Sequence, residues 1–273
     1  MTPIYHGMDQ AALDAGYNNS LAVANSSALL KDFDQRSAAL RAQYDQHLDL
    51  RYGPAERNRI DYFPGGKPGP LLVFIHGGYW QMRAKETFSF LAAGPLAHGM
   101  HVALVGYTLA PDATLTQIVA EVRAGIAWLK QNAGAFGADT ERMVVSGWSA
   151  GGHLTAMCVD EPGVIGGVAI SGLYDLEPIR LCYLNNKLQL SDTEEKGLSP
   201  LLLPLSPRPL TLIYGSDELP ELQRQSEQFG AARNALPGAL VPLAQRNHFT
   251  ILNELAAPDG AITREVCAIA GIA

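Results

Sequence analysis

The segment Met143-Val144-Val145-Ser146-Gly147-Trp148-Ser149-Ala150-Gly151-Gly152-His153 decides the fold. Met143 to Ser146 is a short apolar run of strand length, and the residues from Gly152 onward are compatible with a helix. The pattern Gly-x-Ser-x-Gly between them is typical of a sharp strand-to-helix turn, in which small residues flank a strained serine. A chance glycine-rich turn is the alternative, but the flanking strand and helix disfavour it. The segment therefore predicts that Ser149 lies at a sheet edge beside a helix N-terminus, where N–H groups favour negative charge.

Other apolar runs of strand length lie on both sides of this segment. Their nearly continuous apolar character indicates strands that are covered on both faces. They are Ile60 to Phe63, Leu71 to Ile75, Val102 to Gly106, Val164 to Ile170, Leu210 to Tyr214 and Ala239 to Leu243. Apolar residues at three-to-four spacing from Leu115 to Leu129 follow a Thr114-x-x-Gln117 capping box and predict a helix. Strands alternating with helices predict an α/β fold, with a mostly parallel sheet and helices on both faces.

The 273 residues fit one large α/β domain, 1–273, better than two ordinary domains. Residues 1–55 are polar and rich in alanine, with a helical pattern from Ala38 to Leu48, and are interpreted as a small N-terminal cap segment. Residues 181–209 contain an acidic run and four prolines, which interrupt the alternation of strands and helices. They are expected to form an insertion folded over the sheet.

Composition excludes several classes of function. The 47% of hydrophobic residues is typical of a folded globule, and the formal charge of −7 disfavours nucleic acid or an anionic membrane as a partner. Three scattered cysteines, Cys158, Cys182 and Cys267, suit neither a disulfide framework nor a four-ligand zinc site, so no metal or other cofactor is expected. No secretory leader or membrane span is recognised, which predicts a cytoplasmic protein that acts on a small-molecule substrate. A homodimer is left open.

A second motif, His76-Gly77-Gly78-Tyr79-Trp80, directly follows an apolar strand. Two consecutive glycines let the main chain turn its N–H groups inward, as an oxyanion hole requires. The expected donors are the N–H groups of Gly78 and Tyr79, joined by that of Ala150 behind the serine. His76 is interpreted as a residue that holds the loop in shape rather than as a proton carrier.

A base and an acid are needed to activate the serine, and both follow predicted strands. His248 lies in the last loop, near the carboxyl terminus, and is the candidate base. In Gly215-Ser216-Asp217-Glu218, either carboxylate could reach His248 Nδ1 and fix its tautomer. The common register, three residues after the strand-ending glycine, selects Glu218, while Asp217 is the alternative or a helix cap. A third carboxylate, Asp175, is interpreted as a structural cap or loop tie.

Taken together, these motifs resemble a known family. The matching segments are His76 to Trp80, Gly147 to His153, Ser171 to Pro178, Ser199-Pro200, Pro220 to Ser226 and His248-Phe249. Their order and spacing resemble the kynurenine formamidase (arylformamidase) branch of the hormone-sensitive-lipase-like α/β hydrolases, from about Tyr17 to the end of the chain. The resemblance implies an α/β-hydrolase fold and a metal-free serine hydrolase that removes the formyl group of N-formylkynurenine in tryptophan catabolism.

Position by position, the resemblance assigns the family's nucleophile to Ser149, its histidine to His248 and its acid to Glu218, where many relatives carry Asp. Trp148 is a second departure, since relatives often have His there, and it either alters the pocket or packs behind the turn. The family also contains bacterial members that look like general esterases or thioesterases. A carboxylesterase or thioesterase is therefore the alternative function, and a non-catalytic ligand-binding relic is less favoured.

An aryl formamide has a small acyl group and an aromatic leaving group, so the leaving-group side should offer a stacking surface. The aromatic candidates for this substrate-binding surface are Tyr17, Tyr79, Trp80 and Tyr174. An amino-acid substrate also carries a carboxylate that needs hydrogen-bond donors. The candidate donors are Asn18, Arg180 and Asn185.

Overall fold

The computed structural model describes residues 3–66 and 68–272. Its strands are β1 Leu50–Arg51, β2 Arg59–Phe63, β3 Gly69–Ile75, β4 His101–Val105, β5 Ala138–Trp148, β6 Val164–Ile170, β7 Leu210–Gly215 and β8 Leu240–Leu243. They form one sheet in the order β1-β2-β4-β3-β5-β6-β7-β8. The pairs β1–β2 and β2–β4 are antiparallel, and every pair from β4 to β8 is parallel. The predicted mostly parallel α/β sheet is confirmed.

Helices connect these strands. The α-helices are α1 Gln10–Gly16, α2 Asn19–Ala22, α3 Ser26–Arg41, α4 Ala93–Ala97, α5 Leu115–Asn132, α6 Ala150–Cys158, α7 Glu177–Leu181, α8 Asn185–Leu188, α9 Asp192–Leu198, α10 Pro220–Ala232, α11 Asn253–Ala256 and α12 Ala261–Ile269. Shorter 3-10 segments are Asp45–His47, Lys85–Ala92, Ala133–Phe136, Pro200–Leu202 and Thr250–Leu252. Within the described part of the chain, no helix is long and apolar enough to cross a membrane.

Two hydrophobic clusters lie on opposite faces of the sheet. Because successive strand residues point to opposite faces, Leu71 and Val73 of β3 belong to one cluster and Leu72 and Phe74 to the other. The first cluster also contains the apolar faces of α5, α6 and α10, and the second those of α3 and α12. Helices thus cover both faces, and the near-continuous apolarity of the strands follows from this double coverage.

The predicted capping box begins α5 as expected. The Thr114 hydroxyl accepts from the N–H of Gln117 at 3.3 Å, and the Gln117 side chain accepts from the N–H of Thr114 at 2.9 Å. The prediction for Ala38 to Leu48 was wrong in its bounds, because the helix is α3 and ends at Arg41. Its buried face includes Ser26 and Ser37 beside apolar side chains, so its hydrophobic signal is weak.

Candidate active site

The turn between β5 and α6 holds Ser149 in a strained conformation, with φ +58° and ψ −118°. Glycine is required on both sides because other main-chain segments approach closely. A Cβ on Gly151 would lie 2.0 Å from the carbonyl oxygen of Ile75, and one on Gly147 would lie 2.3 Å from that of Gly151. The two glycines of the pentapeptide therefore allow β3, β5 and α6 to meet, with the serine at the end of the strand.

The structure places Glu218 against the candidate base. His248 Nδ1 lies 2.8 Å from Glu218 Oε2, and both side chains are buried. The other carboxylate oxygen, Oε1, accepts from the Ser171 hydroxyl at 2.6 Å and from the N–H of Gly215 at 2.7 Å. Asp217 is exposed, its carboxylate accepts from the hydroxyl of the neighbouring Ser216 at 3.0 Å, and α10 begins without a side-chain cap. Of the two acids that the sequence offers, Glu218 is the one beside the histidine.

This arrangement fixes the imidazole for proton transfer. A carboxylate that accepts from Nδ1–H leaves Nε2 free to take a proton and stabilises the imidazolium that then forms. Ser171 lies at the end of β6 and Glu218 just beyond the end of β7, so neighbouring parallel strands bring them together. The role of Ser171 is missing from the sequence prediction; its position directly after a predicted strand is the signal that could have found it.

Trp148 links the serine turn to the histidine loop. Its indole Nε1 donates to the backbone carbonyl of His248 at 2.7 Å, and the two rings lie 4.7 Å apart between centroids. Among the described residues, no hydrogen bond joins the Ser149 hydroxyl to the imidazole. Catalytic hydrogen bonds in unliganded enzymes are often long and tighten when substrate binds. The sequence left open whether Trp148, which stands where relatives often have His, alters the pocket or packs behind the turn. In the structure it packs behind the turn.

The loop after β3 turns sharply over this site. Gly78 has φ +114°, and Tyr79 and Trp80 follow at +50° and +57°. A Cβ on Gly77 would lie only 3.1 Å from the Cβ of Ser149, so the loop packs directly on the serine turn. This succession of left-handed residues turns the main chain back on itself beside the serine.

Three backbone N–H groups beside the serine are available as donors. Within the described residues, those of Gly78 and Tyr79 have no protein acceptor. The N–H of Ala150 is the first of α6 and has no partner within its own helix. Donors of this kind suit a developing oxyanion.

His76 anchors the base of this loop. Its Nδ1 lies 2.8 Å from the carbonyl oxygen of Gly77, and its ring stacks on Tyr107 at 4.2 Å between centroids. The Tyr107 hydroxyl in turn donates to the carbonyl of His76 at 2.8 Å. Burial lowers the pKa of His76 to about 4, which keeps the imidazole neutral near pH 7. These contacts fit a residue that shapes the loop.

All four proposed stacking residues are buried, Tyr79 with 8% of its surface exposed. Tyr17, Trp80 and Tyr174 are at most 1% exposed. Tyr174 stacks on Phe229 at 4.4 Å, and the edge of Trp80 meets His153 at 5.0 Å. Other rings of the protein therefore already pack against two of these residues. Burying large aromatic side chains in this way stabilises the fold. The structure therefore does not present these three residues as the open stacking surface that the sequence suggested.

Two of the proposed donor residues also make contacts within the protein. Asn185 is half-buried, and its side-chain oxygen accepts from the N–H of Leu190 at 2.7 Å. Arg180 pairs with Glu195 and with Asp192.

The third carboxylate of the sequence analysis, Asp175, accepts from the Tyr5 hydroxyl at 2.7 Å, which fits a loop tie.

An open cleft of about 520 Å³ lies between α1, α2 and the segment that carries Tyr183. Its lining consists of Asp14, Ala15, Asn18, Leu21, Ala22, Tyr183 and Leu219. Tyr183 is 38% exposed, and the sequence analysis missed it because nothing in its local sequence distinguishes it within residues 181–209. The cleft adds an accessible aromatic side chain that the buried candidates do not provide. In the described ranges, no group of three or more His, Cys, Asp or Glu residues could hold a metal ion.

Comparisons with known proteins agree with this geometry. The BD-FAE family model matches residues 62–161. Kynurenine formamidase of Salmo salar is 30% identical over 238 residues, which cover 80% of this chain and 79% of the relative, and that of Danio rerio is 28% identical with the same coverage. The crystal structure of a "putative thioesterase" from Silicibacter sp. tm1040 matches with a TM-score of 0.83 and 26% identity, covering 93% of this chain and 98% of the other.

The fold, the order of the motifs and the similar proteins all assign the chain to the same family. The similarity to the curated relatives spans most of both chains, and the solved structure overlays nearly the whole fold. The chain therefore belongs to the kynurenine formamidase branch of the hormone-sensitive-lipase-like α/β hydrolases, and it is a serine hydrolase that acts on amide or ester bonds.

Proposed function

We propose that this enzyme hydrolyses aryl formamides such as N-formylkynurenine, with Ser149, His248 and Glu218 as its catalytic residues. The observation that carries the proposal is the buried hydrogen bond between His248 and Glu218 beside the strained serine turn. The names of the relatives supply the substrate class, since two of them are kynurenine formamidases.

In the proposed reaction, Ser149 Oγ attacks the formyl carbon while His248 Nε2 takes its proton. The charge that develops on the carbonyl oxygen is stabilised by the N–H groups of Gly78, Tyr79 and Ala150. His248 then protonates the leaving nitrogen, the carbon–nitrogen bond breaks, and the arylamine departs. Water, deprotonated by the same imidazole, attacks the formyl ester and releases formate and the free serine.

A kinetic panel tests this function. The kcat/KM for N-formylkynurenine is compared with those for a phenyl acetate and an acetyl thioester, using the wild type and the Ser149→Ala variant. We expect N-formylkynurenine to be the preferred substrate and the variant to lose at least about 10⁴-fold in kcat. A fluorophosphonate probe should label the wild type and not the variant. Near-full turnover by Ser149→Ala would contradict the proposal.

A carboxylesterase or thioesterase is the second candidate. The similarity to the "putative thioesterase" structure, at 26% identity over nearly the full length of both chains, favours it. The same catalytic residues would serve, and only the pocket would differ. A kcat/KM for the ester or thioester far above that for N-formylkynurenine would select this function instead.

A further inference from the structure

The cleft lined by Asp14, Leu21 and Tyr183 is linked through the carbonyl of Tyr17 to the loop that carries two of the proposed oxyanion donors, Gly77 to Gln81 (the oxyanion loop). The Tyr183 and Tyr79 hydroxyls both donate to the carbonyl of Tyr17, at 3.5 and 2.7 Å. A lining residue of the cleft and a residue of the loop that would bind the oxyanion therefore share one acceptor.

A second contact joins the same two parts of the molecule. The Gln81 side chain donates to the carbonyl of Leu184 at 3.4 Å, which ties the oxyanion loop to the segment that carries Tyr183. Leu219, another lining residue, directly follows Glu218 in the chain. Hydrogen bonds thus link the cleft to the oxyanion loop, and one of its lining residues is the sequence neighbour of the proposed catalytic acid.

The lining is apolar apart from a few groups. Asp14 is the only charged residue among the seven that line the cleft. Its Oδ1 accepts from the N–H of Tyr183 at 2.8 Å and from the Gln10 side chain at 2.9 Å. In the described part of the chain, no cationic side chain pairs with Asp14. An uncompensated carboxylate fixed beside an accessible tyrosine ring suits an organic ammonium group, through charge and cation–π attraction.

Asn18 adds a complementary group to the same lining. Its side-chain oxygen caps α2 by accepting from the N–H of Leu21 at 3.2 Å. The amide NH₂ of Asn18 is therefore turned away from that bond and can donate to a carboxylate. A carboxylate acceptor, an aromatic face and an amide donor together match an amino-acid head group attached to an aryl ring.

From these contacts we infer that the cleft binds the leaving group of the substrate and selects an arylamine that carries an ammonium group, held by Asp14 and Tyr183. This inference rests on the proposed function for its reaction, because the acyl carbon must lie at Ser149 while the arylamine extends past Tyr79. The binding site itself is independent of which acyl bond is cleaved.

The test compares Asp14→Asn with Asp34→Asn, an exposed acid on α3 that lies outside the cleft. Asparagine keeps the oxygen that accepts from Tyr183 and removes only the charge. For N-formylkynurenine, we expect Asp14→Asn to raise KM about tenfold with kcat within about twofold. The matched substrate 2-formamidoacetophenone, which lacks the amino-acid portion, should show no change, nor should either substrate with Asp34→Asn. An equal effect on both substrates would overturn the inference.

A calorimetric titration with kynurenine separates this inference from the proposed function, because it requires no turnover. We expect the wild type to bind kynurenine, and its Kd to rise about tenfold in Asp14→Asn and in Tyr183→Leu. 2-Aminoacetophenone, which has no ammonium group, should bind each protein equally. If the wild type hydrolyses neither formamide but kynurenine binding depends on Asp14, the formamidase proposal fails and the cleft assignment stands. Absence of kynurenine binding, or binding that is unchanged in Asp14→Asn, would overturn the cleft assignment.

Discussion

Replacing Glu218 by Gln tests the proposed acid with almost no change of shape. One carboxylate oxygen accepts from the Ser171 hydroxyl and the Gly215 N–H, and the other accepts from His248 Nδ1. In Glu218→Gln, the amide oxygen must face Ser171 and Gly215, because an amide NH₂ in that position would point its hydrogens at the N–H of Gly215. The amide NH₂ then faces the imidazole and donates to Nδ1. The imidazole proton is forced onto Nε2, which can no longer accept from Ser149.

The expected loss of kcat follows from the imidazole being protonated on Nε2. A comparable exchange of carboxylate for amide in a serine-protease triad lowers kcat by about 10⁴, which corresponds to about 5 kcal/mol of transition-state stabilisation. The fold should persist, because both donors to the buried side chain keep an acceptor. The assay is kcat with the best substrate of the panel, alongside the unfolding free energy in urea.

Asp217→Asn is the matched control. Asp217 is exposed and its carboxylate accepts from the Ser216 hydroxyl, so kcat of Asp217→Asn should stay within about twofold of the wild type. A Glu218→Gln enzyme that keeps more than a tenth of its kcat would refute the argument. A larger loss in Asp217→Asn than in Glu218→Gln would instead identify the neighbouring acid as the functional one.

Three further predictions concern stability. Trp148→Phe keeps a smaller aromatic ring but removes the N–H that donates to the carbonyl of His248, so it should lower the unfolding free energy by about 1–3 kcal/mol in urea denaturation and lower kcat. Gly151→Ala drives a Cβ to 2.0 Å from a backbone oxygen and should cost more than about 3 kcal/mol, whereas Gly134→Ala, which meets nothing within 4 Å, should be nearly neutral. Burial lowers the pKa of His76 and of His153 to about 4, so unfolding takes up protons between pH 6.5 and 4. The unfolding free energy should therefore fall on acidification, by about 2 kcal/mol per histidine between pH 8 and pH 5, and an unchanged value would contradict this.

Sequence reasoning predicted the parts of the fold that are marked by patterns of residues close together in the chain. The strand before Ser149 was predicted as Met143 to Ser146, and β5 extends it in both directions, to Ala138 and Trp148. The missed amino-terminal part is polar, from Asp139 to Arg142, so the apolar pattern does not mark it. The turn at Ser149 was predicted from the local Gly-x-Ser-x-Gly pattern, although the carbonyl oxygen that excludes a side chain at Gly151 belongs to Ile75 of the neighbouring strand β3.

What sequence reasoning could not provide depends on distant contacts. The register after the strand-ending glycine selected Glu218 over Asp217, but the donors from Ser171 and Gly215 that hold Glu218 beside the base were not visible in the local pattern. The burial of Tyr174 likewise comes from stacking on a ring of α10, which no local pattern encodes. The hydrogen bond from the Tyr79 hydroxyl to the carbonyl of Tyr17 likewise joins residues 62 positions apart.

The order of the strands explains why the loops of this site can meet at all. After β3 the chain passes to β4 on one side of it, and then returns to place β5 on the other side. Connections therefore leave β3 and β5 in opposite directions, and a crevice opens between their carboxyl ends, as at other topological switch points. The strained residues Tyr79 and Ser149 lie at the ends of these two strands, and Ser171 lies at the end of β6 beside them. Three adjacent parallel strands hold these backbones in place, so strain that would be lost in a flexible loop is retained where charge must be stabilised.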